Sequence, residues 1–132
     1  MFWNKDFLKE FPAWRMKKLR KEKRFGAFEV WYYRSSLWLH HLRVAAMIEE
    51  LASTIVELLP DFTMEDVQRA WTLALFHDDP EMVTGDIPLF VKEAMLPGQK
   101  ADQKEIDSDV ADGLARMFPK TVNGHSYRQL LA

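Results

Sequence analysis

One long apolar stripe constrains the fold of this chain more than any other feature. Between positions 36 and 59, large apolar residues recur at alternating three- and four-residue steps, apart from a seven-residue gap at the start. These residues are Leu37, Val44, Ile48, Leu51, Ile55 and Leu58. Position 41 is the vacant place in the stripe, and a histidine occupies it. The segment is therefore predicted to be a helix that ends before Pro60 and directs histidine towards the interior.

The other segments also follow helical periodicity. Helices are predicted over about residues 13–23, 64–78, 88–96 and 102–118, with short turns at 5–10 and 81–83 and another helix opening at 125–132. The apolar faces of two of them are expected to be Val67, Ala70, Trp71, Ala74 and Leu75, and Ile106, Val110, Leu114 and Met117. No period-two alternation argues for a sheet. The sequence thus predicts an all-α fold, an orthogonal helical bundle of about five to seven helices.

Composition is that of a single globular domain. Of the 132 residues, 48% are hydrophobic, and a net charge of −2 gives no general attraction to nucleic acid or to an anionic membrane. No apolar run is long enough for a membrane span, and the N-terminus lacks the apolar region of a signal peptide. The absence of cysteine excludes disulfides and thiolate metal sites. We expect one domain over residues 1–132, located in the cytoplasm, without nucleic-acid or membrane partners.

The N-terminal part of that domain is predicted to be a helical lead-in over residues 1–26, followed by the core over 27–132. Residues 15–24 hold seven basic residues and one acidic residue. Such a run either meets a phosphate or forms a solvated helix face, and the solvated face is the more common case. Four aromatic residues near the N-terminus hint that another surface covers them, as in a homodimer; they are Phe2, Trp3, Phe11 and Trp14.

Two predicted helices direct ionisable side chains inward. One carries His40 and His41, and the buried face of the helix at 64–78 continues onto His77 and Asp78. Unpaired buried charges are costly, and a divalent cation would satisfy these groups together. Imidazole and carboxylate suit Zn²⁺, Mn²⁺, Co²⁺, Ni²⁺ or Fe²⁺. The alternative is that the histidines are hydrogen-bonded core residues and that Asp79 caps the next turn.

Several motifs together resemble the HD superfamily of metal-dependent phosphohydrolases. They are His40 before Val44-Ala45, then Ala74-Leu75-Phe76-His77-Asp78, Glu81, Thr84-Gly85-Asp86-Ile87-Pro88 and Lys92. Over about residues 24–132, the chain looks most like the branch of small deoxynucleoside 5′-monophosphate phosphatases. The resemblance implies removal of phosphate from (deoxy)nucleoside 5′-monophosphates with water activated by one divalent transition metal. A phosphodiesterase, a triphosphohydrolase or a silent metal-binding helical module are the alternative interpretations.

The family pattern implies four metal ligands in the order H…HD…D. His77 and Asp78 match directly, and His40 is preferred as the first ligand from its distance to Val44-Ala45, although periodicity favours His41. The family commonly has the pattern E-H-S here, whereas this chain has Leu39-His40-His41. The last aspartate would fall beyond Ala132, so the chain is expected to be a truncated domain. Candidate substitutes are Asp107, Asp109 and Asp112, which the helix pattern directs to solvent.

The resemblance also implies roles for two further acidic residues. Glu81 would orient the attacking water or hold the substrate, and Asp86 would handle a proton, unless both simply cap turns. Three basic residues are candidates for gripping the substrate phosphate, with surface salt bridges as the alternative; they are Arg24, Arg34 and Lys92.

Overall fold

The computed structural model describes residues 3–22, 36–85 and 89–131. Within these ranges a 3₁₀ turn at Asp6–Glu10 precedes seven α-helices and one pair of two-residue strands. In chain order they are α1 (Ala13–Lys21), α2 (Leu37–Leu58), α3 (Met64–Phe76), α4 (Glu81–Thr84), α5 (Leu89–Ala94), α6 (Pro97–Met117), β1 (Thr121–Val122), β2 (His125–Ser126) and α7 (Tyr127–Leu130). The predicted all-α class is confirmed. No helix in the described ranges is long and apolar enough to cross a membrane.

The helices α2 and α3 form the main pair of the fold. The hydroxyl of Ser36 accepts the Leu39 N–H at 3.1 Å and so caps the start of α2. Thr63 and Asp66 form a capping box: the Thr63 hydroxyl accepts the Asp66 N–H at 3.2 Å, and the Asp66 carboxylate accepts the Thr63 N–H at 2.9 Å. The loop at 59–63 therefore ends one helix and begins the next with its backbone groups paired.

An aromatic cluster joins both ends of the described chain to α3. The ring centroid of Phe11 lies 5.1 Å from those of Phe76 and Phe118, and Tyr127 lies 5.4 Å from Phe118. Such tilted and edge-on pairs are the arrangements that aromatic rings prefer. Phe11, an aromatic residue that hinted at a homodimer, is therefore buried within its own chain. Trp14 remains 43% exposed.

The buried faces of three helices differ in part from the prediction. In α2, Leu51 and Leu58 are 49% and 70% exposed, whereas the buried positions are Leu37, His41, Ala45 and Ala52. The buried face thus runs through position 41 and the two alanines, while Val44 and Ile48 are only partly buried against the core. On α3, Ala70 is exposed. In α6, Ile106 and Met117 are exposed, because the face that reaches the core is that of Ala111 and Leu114.

Two local features differ from what the sequence pattern indicates. Helix α6 begins at Pro97, not near residue 102, because proline at the first helical position lacks only an N–H that would be unpaired there. A short hairpin pairs Thr121 with Ser126 and Val122 with His125. Its two-residue turn is Asn123-Gly124, with φ of 51° and 83°, the left-handed conformation that this dipeptide adopts readily.

Candidate metal and substrate site

A cluster of three potential metal ligands lies where the end of α3 meets α2. The Nε2 atom of His40 is 3.6 Å from Oδ2 of Asp78, and Nε2 of His77 is 3.2 Å from Oδ1 of the same carboxylate. One ligand atom from each of the three residues lies within 4.8 Å of the others. The structure therefore brings together the three residues that the sequence predicted as ligands.

The turn after α3 orients the two ligands that it carries. The ring Nδ1 of His77 lies 3.1 Å from the carbonyl oxygen of Leu73, one helical turn earlier. Because a carbonyl only accepts, Nδ1 donates in this contact, which leaves Nε2, the nitrogen near Asp78, as the ring atom available to a metal. The chain then turns sharply, since the Asp79 and Glu81 N–H groups donate to the carbonyls of Phe76 and Asp78 at 2.9 Å.

A buried ion pair between Arg15 and Asp79 holds this turn against the core. The guanidinium of Arg15 donates to both carboxylate oxygens of Asp79, at 3.0 and 2.8 Å, and to the Leu75 carbonyl at 2.9 Å. The Tyr127 hydroxyl donates to Asp79 at 2.7 Å. Burial raises the pKa of Asp79, while Arg15 and Tyr127 oppose that shift. The network ties α1 and α7 to the residue next to Asp78.

This network departs from two expectations drawn from the sequence. Arg15 is 2% exposed, so the basic run is not solvated along its whole length. The alternative to a metal site predicts that Asp79 caps the next turn, but Asp79 is fully buried and pairs with an arginine 64 residues away. A pairing over such a distance leaves no local signal in the sequence.

His41 lies directly behind the ligand cluster. Its side chain is 1% exposed, and its Nε2 atom is 3.9 Å from Oδ2 of Asp78. Neither ring nitrogen has a hydrogen-bond partner within the described ranges. Burial, followed by the nearby charges of Arg15, His77 and His40, lowers the pKa of His41 from 6.5 to about 3. The imidazole is therefore neutral near pH 7.

A cleft of about 440 Å³ opens beside the cluster. His77, Asp78 and Glu81 line one side, and residues of α6 and α7 line the other. On that far side, Arg128 is held by Asp112 at 2.7 Å and by the Ser108 hydroxyl at 3.3 Å. The cleft is therefore lined by the guanidinium of Arg128, which is paired with Asp112, as well as by the candidate ligands His77 and Asp78.

Other predicted residues are distributed as follows. Glu81 is the first residue of α4 and lines the cleft. Gly85 also lines the cleft, and its φ of 79° lies in the left-handed region that favours glycine. Three predicted residues lie outside the described ranges: Asp86, Arg24 and Arg34. For Lys92, the structure describes only the backbone, which is part of α5. The aspartates of α6 that were candidate substitutes are all exposed, and of these Asp107 lines the cleft. Sequence reasoning missed Lys104 and Arg128, which lie on the far side of the cleft, because their place depends on how α6 and α7 pack.

The three ligand atoms fit a divalent transition metal. Donors at about 2.1 Å from a tetrahedral ion lie about 3.4 Å from one another. Nε2 of His40 lies 3.6 Å from Oδ2 of Asp78 and Nε2 of His77 lies 3.2 Å from Oδ1, both near that value although they involve different carboxylate oxygens. Two imidazoles and a carboxylate suit Zn²⁺, Co²⁺, Mn²⁺, Ni²⁺ or Fe²⁺ better than Ca²⁺ or Mg²⁺, which prefer oxygen alone.

Comparison with known proteins identifies the family of the chain. The model of one protein family, described as 5′-deoxynucleotidase YfbR-like, matches residues 13–132. No curated protein and no solved structure matches the chain. The family match spans the candidate ligands, Glu81, the cleft and the Arg15 anchor. The chain therefore belongs to the YfbR-like 5′-deoxynucleotidases, a branch of the HD-domain phosphohydrolases.

Proposed function

We propose that this chain releases phosphate from (deoxy)nucleoside 5′-monophosphates and that the reaction requires one divalent transition metal bound by His40, His77 and Asp78. The observation that carries the proposal is the convergence of these three side chains, two of which, His77 and Asp78, line a cleft. Its volume of about 440 Å³ lies in the range usual for small-molecule sites. The family match supports a nucleotide as the substrate.

The charges in the cleft explain why a metal would be needed. Three carboxylates line it, those of Asp78, Glu81 and Asp107, and they would repel a phosphate dianion. When bound, a divalent ion would neutralise phosphoryl oxygens and lower the pKa of coordinated water. Lys104 and Arg128, on the far side, would add attraction for the phosphate.

The acidic residues would then divide the remaining tasks. Glu81, at the cleft wall, would accept a hydrogen bond from the attacking water or from a substrate hydroxyl. Asp86 would donate or accept a proton at the nucleophile or at the leaving 5′-oxygen, as the resemblance implies. Arg24, Arg34 and Lys92 would be further contacts to the phosphate. Cleavage of a phosphate monoester needs no other reactant than water.

Phosphate release from a panel of ribo- and deoxynucleoside monophosphates tests this function. The chain, stripped with a chelator and then supplied with Mn²⁺ or Co²⁺, should release phosphate only in the presence of metal. Asp78→Asn should abolish release, whereas Asp109→Asn, an exposed carboxylate outside the cleft, should leave it unchanged. Metal binding without release of phosphate from any monoester would refute the enzymatic proposal and favour a silent metal-binding module. Release from diesters or triphosphates alone would reassign the substrate class.

A further inference from the structure

The imidazole of His41 is buried, and neither of its nitrogens has a hydrogen-bond partner in the part of the chain that the structure describes. We propose that His41 is an additional metal ligand of this chain, so that three imidazoles and one carboxylate hold the ion. This inference rests on the metal site of the proposed function. It assigns the ion a donor that neither the sequence motif nor the three-residue cluster includes.

The energetic argument concerns the two ring nitrogens. A neutral imidazole has one donor and one acceptor, and a buried polar atom without a partner costs about 1–3 kcal/mol. The 3.9 Å between Nε2 of His41 and Oδ2 of Asp78 exceeds hydrogen-bond length. An ion beside Asp78 would give Nε2 the partner that it lacks among the described residues. Buried groups left unsatisfied in this way call for such an explanation.

The geometric argument concerns the shared carboxylate. Oδ2 of Asp78 lies 3.6 Å from Nε2 of His40 and 3.9 Å from Nε2 of His41, so both rings of α2 point at one oxygen. Neighbouring ligand atoms are expected about 3.4 Å apart, and the distance from Nε2 of His41 to Oδ2 of Asp78 exceeds that value by about half an ångström. The ring of His41 also lies 5.9 Å from that of His77, between centroids.

The full chain with ¹⁵N-labelled histidine allows each imidazole to be observed during titration with Zn²⁺. We expect the Nε2 resonances of His40, His41 and His77 to shift together and to saturate at the same zinc concentration. His125 is an internal control, because its Nε2 lies 2.9 Å from Gln68 Oε1, away from the cluster. Shifts of His40 and His77 alone would overturn the inference and leave the proposed metal site intact. If no histidine responds, both the inference and the metal site are wrong.

A matched pair of variants gives a second readout. His41→Phe keeps the ring and removes both nitrogens, so the metal-free chain should be as stable as the parent or more stable. Its affinity for Co²⁺, measured by calorimetry, should fall at least tenfold, and the visible spectrum of bound Co²⁺ should change. His40→Phe should also lose affinity. Parent affinity and an unchanged spectrum in His41→Phe would overturn the inference, and the zinc titration of the parent decides the matter should this variant not fold.

Discussion

Replacement of Arg15 by methionine tests the anchor beneath the metal site. Arg15 and Asp79 are at most 2% exposed, and the guanidinium makes three hydrogen bonds of 2.8 to 3.0 Å, two to Asp79 and one to Leu75. Methionine keeps an unbranched apolar side chain but lacks the guanidinium, whose carbon lies 4.7 Å from the centroid of the Phe76 ring. The variant therefore removes the charge and leaves the carboxylate buried.

The expected loss follows from the burial of the pair. Removal of one partner from a buried ion pair costs about 3–5 kcal/mol, because the other charge stays uncompensated. A domain of this size is typically stable by about 5–15 kcal/mol, so Arg15→Met should stay folded at 25 °C with a markedly lower urea midpoint. Urea denaturation followed by circular dichroism measures the free energy of unfolding. Arg20→Met, an exposed position on the same helix, is the control and should change stability by less than about 0.5 kcal/mol.

A double-mutant cycle separates the ion pair from general loss of packing. Asp79→Leu should be as damaging as Arg15→Met, because it leaves the guanidinium buried without its partner. The double variant should lose less stability than the sum of the two single variants' losses, by about 0.5–3 kcal/mol, because neither charge remains. A loss below about 1 kcal/mol for Arg15→Met, or strict additivity in the cycle, would refute the reasoning.

Three further predictions concern single groups. In the metal-free chain, the pKa of His41 is lowered from 6.5 to about 3, so between these pH values the unfolded state binds a proton that the folded state does not. The free energy of unfolding should therefore fall by up to about 1.4 kcal/mol for each pH unit below 6.5. His41→Phe should flatten this pH dependence. Tyr127→Phe removes a buried hydrogen bond to Asp79 and should cost about 1.5–3 kcal/mol in urea denaturation; a change within error would contradict that role. Lys104→Ala should raise the KM for a nucleoside monophosphate about fivefold at low salt with kcat unchanged, whereas Lys100→Ala, outside the cleft, should leave KM as it is.

The ligand cluster could be predicted because its signals are local. His77-Asp78 continues the buried face of α3, and the histidines of α2 fall where its stripe has a gap. Two helices joined by a short loop bring such positions together. The choice between His40 and His41 could not be made from periodicity alone, because the apolar stripe of α2 is wider than the face that it buries.

The ion pair of Arg15 with Asp79 and the cleft residues of α6 and α7 could not be predicted from the sequence, for a different reason. Arg15, in a run of basic residues, has the local pattern of a surface residue, and its burial depends on an aspartate 64 positions away. Lys104 and Arg128 meet the cleft only because α6 and α7 pack beside the end of α3. By contrast, Asn123-Gly124 is a local hairpin signal, but its flanking strands are two residues long, too short to show alternation.

The metal content of the purified chain tests the central claim most directly. The chain, purified without chelator and analysed by elemental analysis, should carry one divalent transition metal per molecule, and His77→Ala should carry none. His125→Ala, which removes a histidine outside the cluster, should keep the metal of the parent. Equal metal content in the parent and His77→Ala, or no metal in either, would contradict the account of His40, His77 and Asp78 as a metal site.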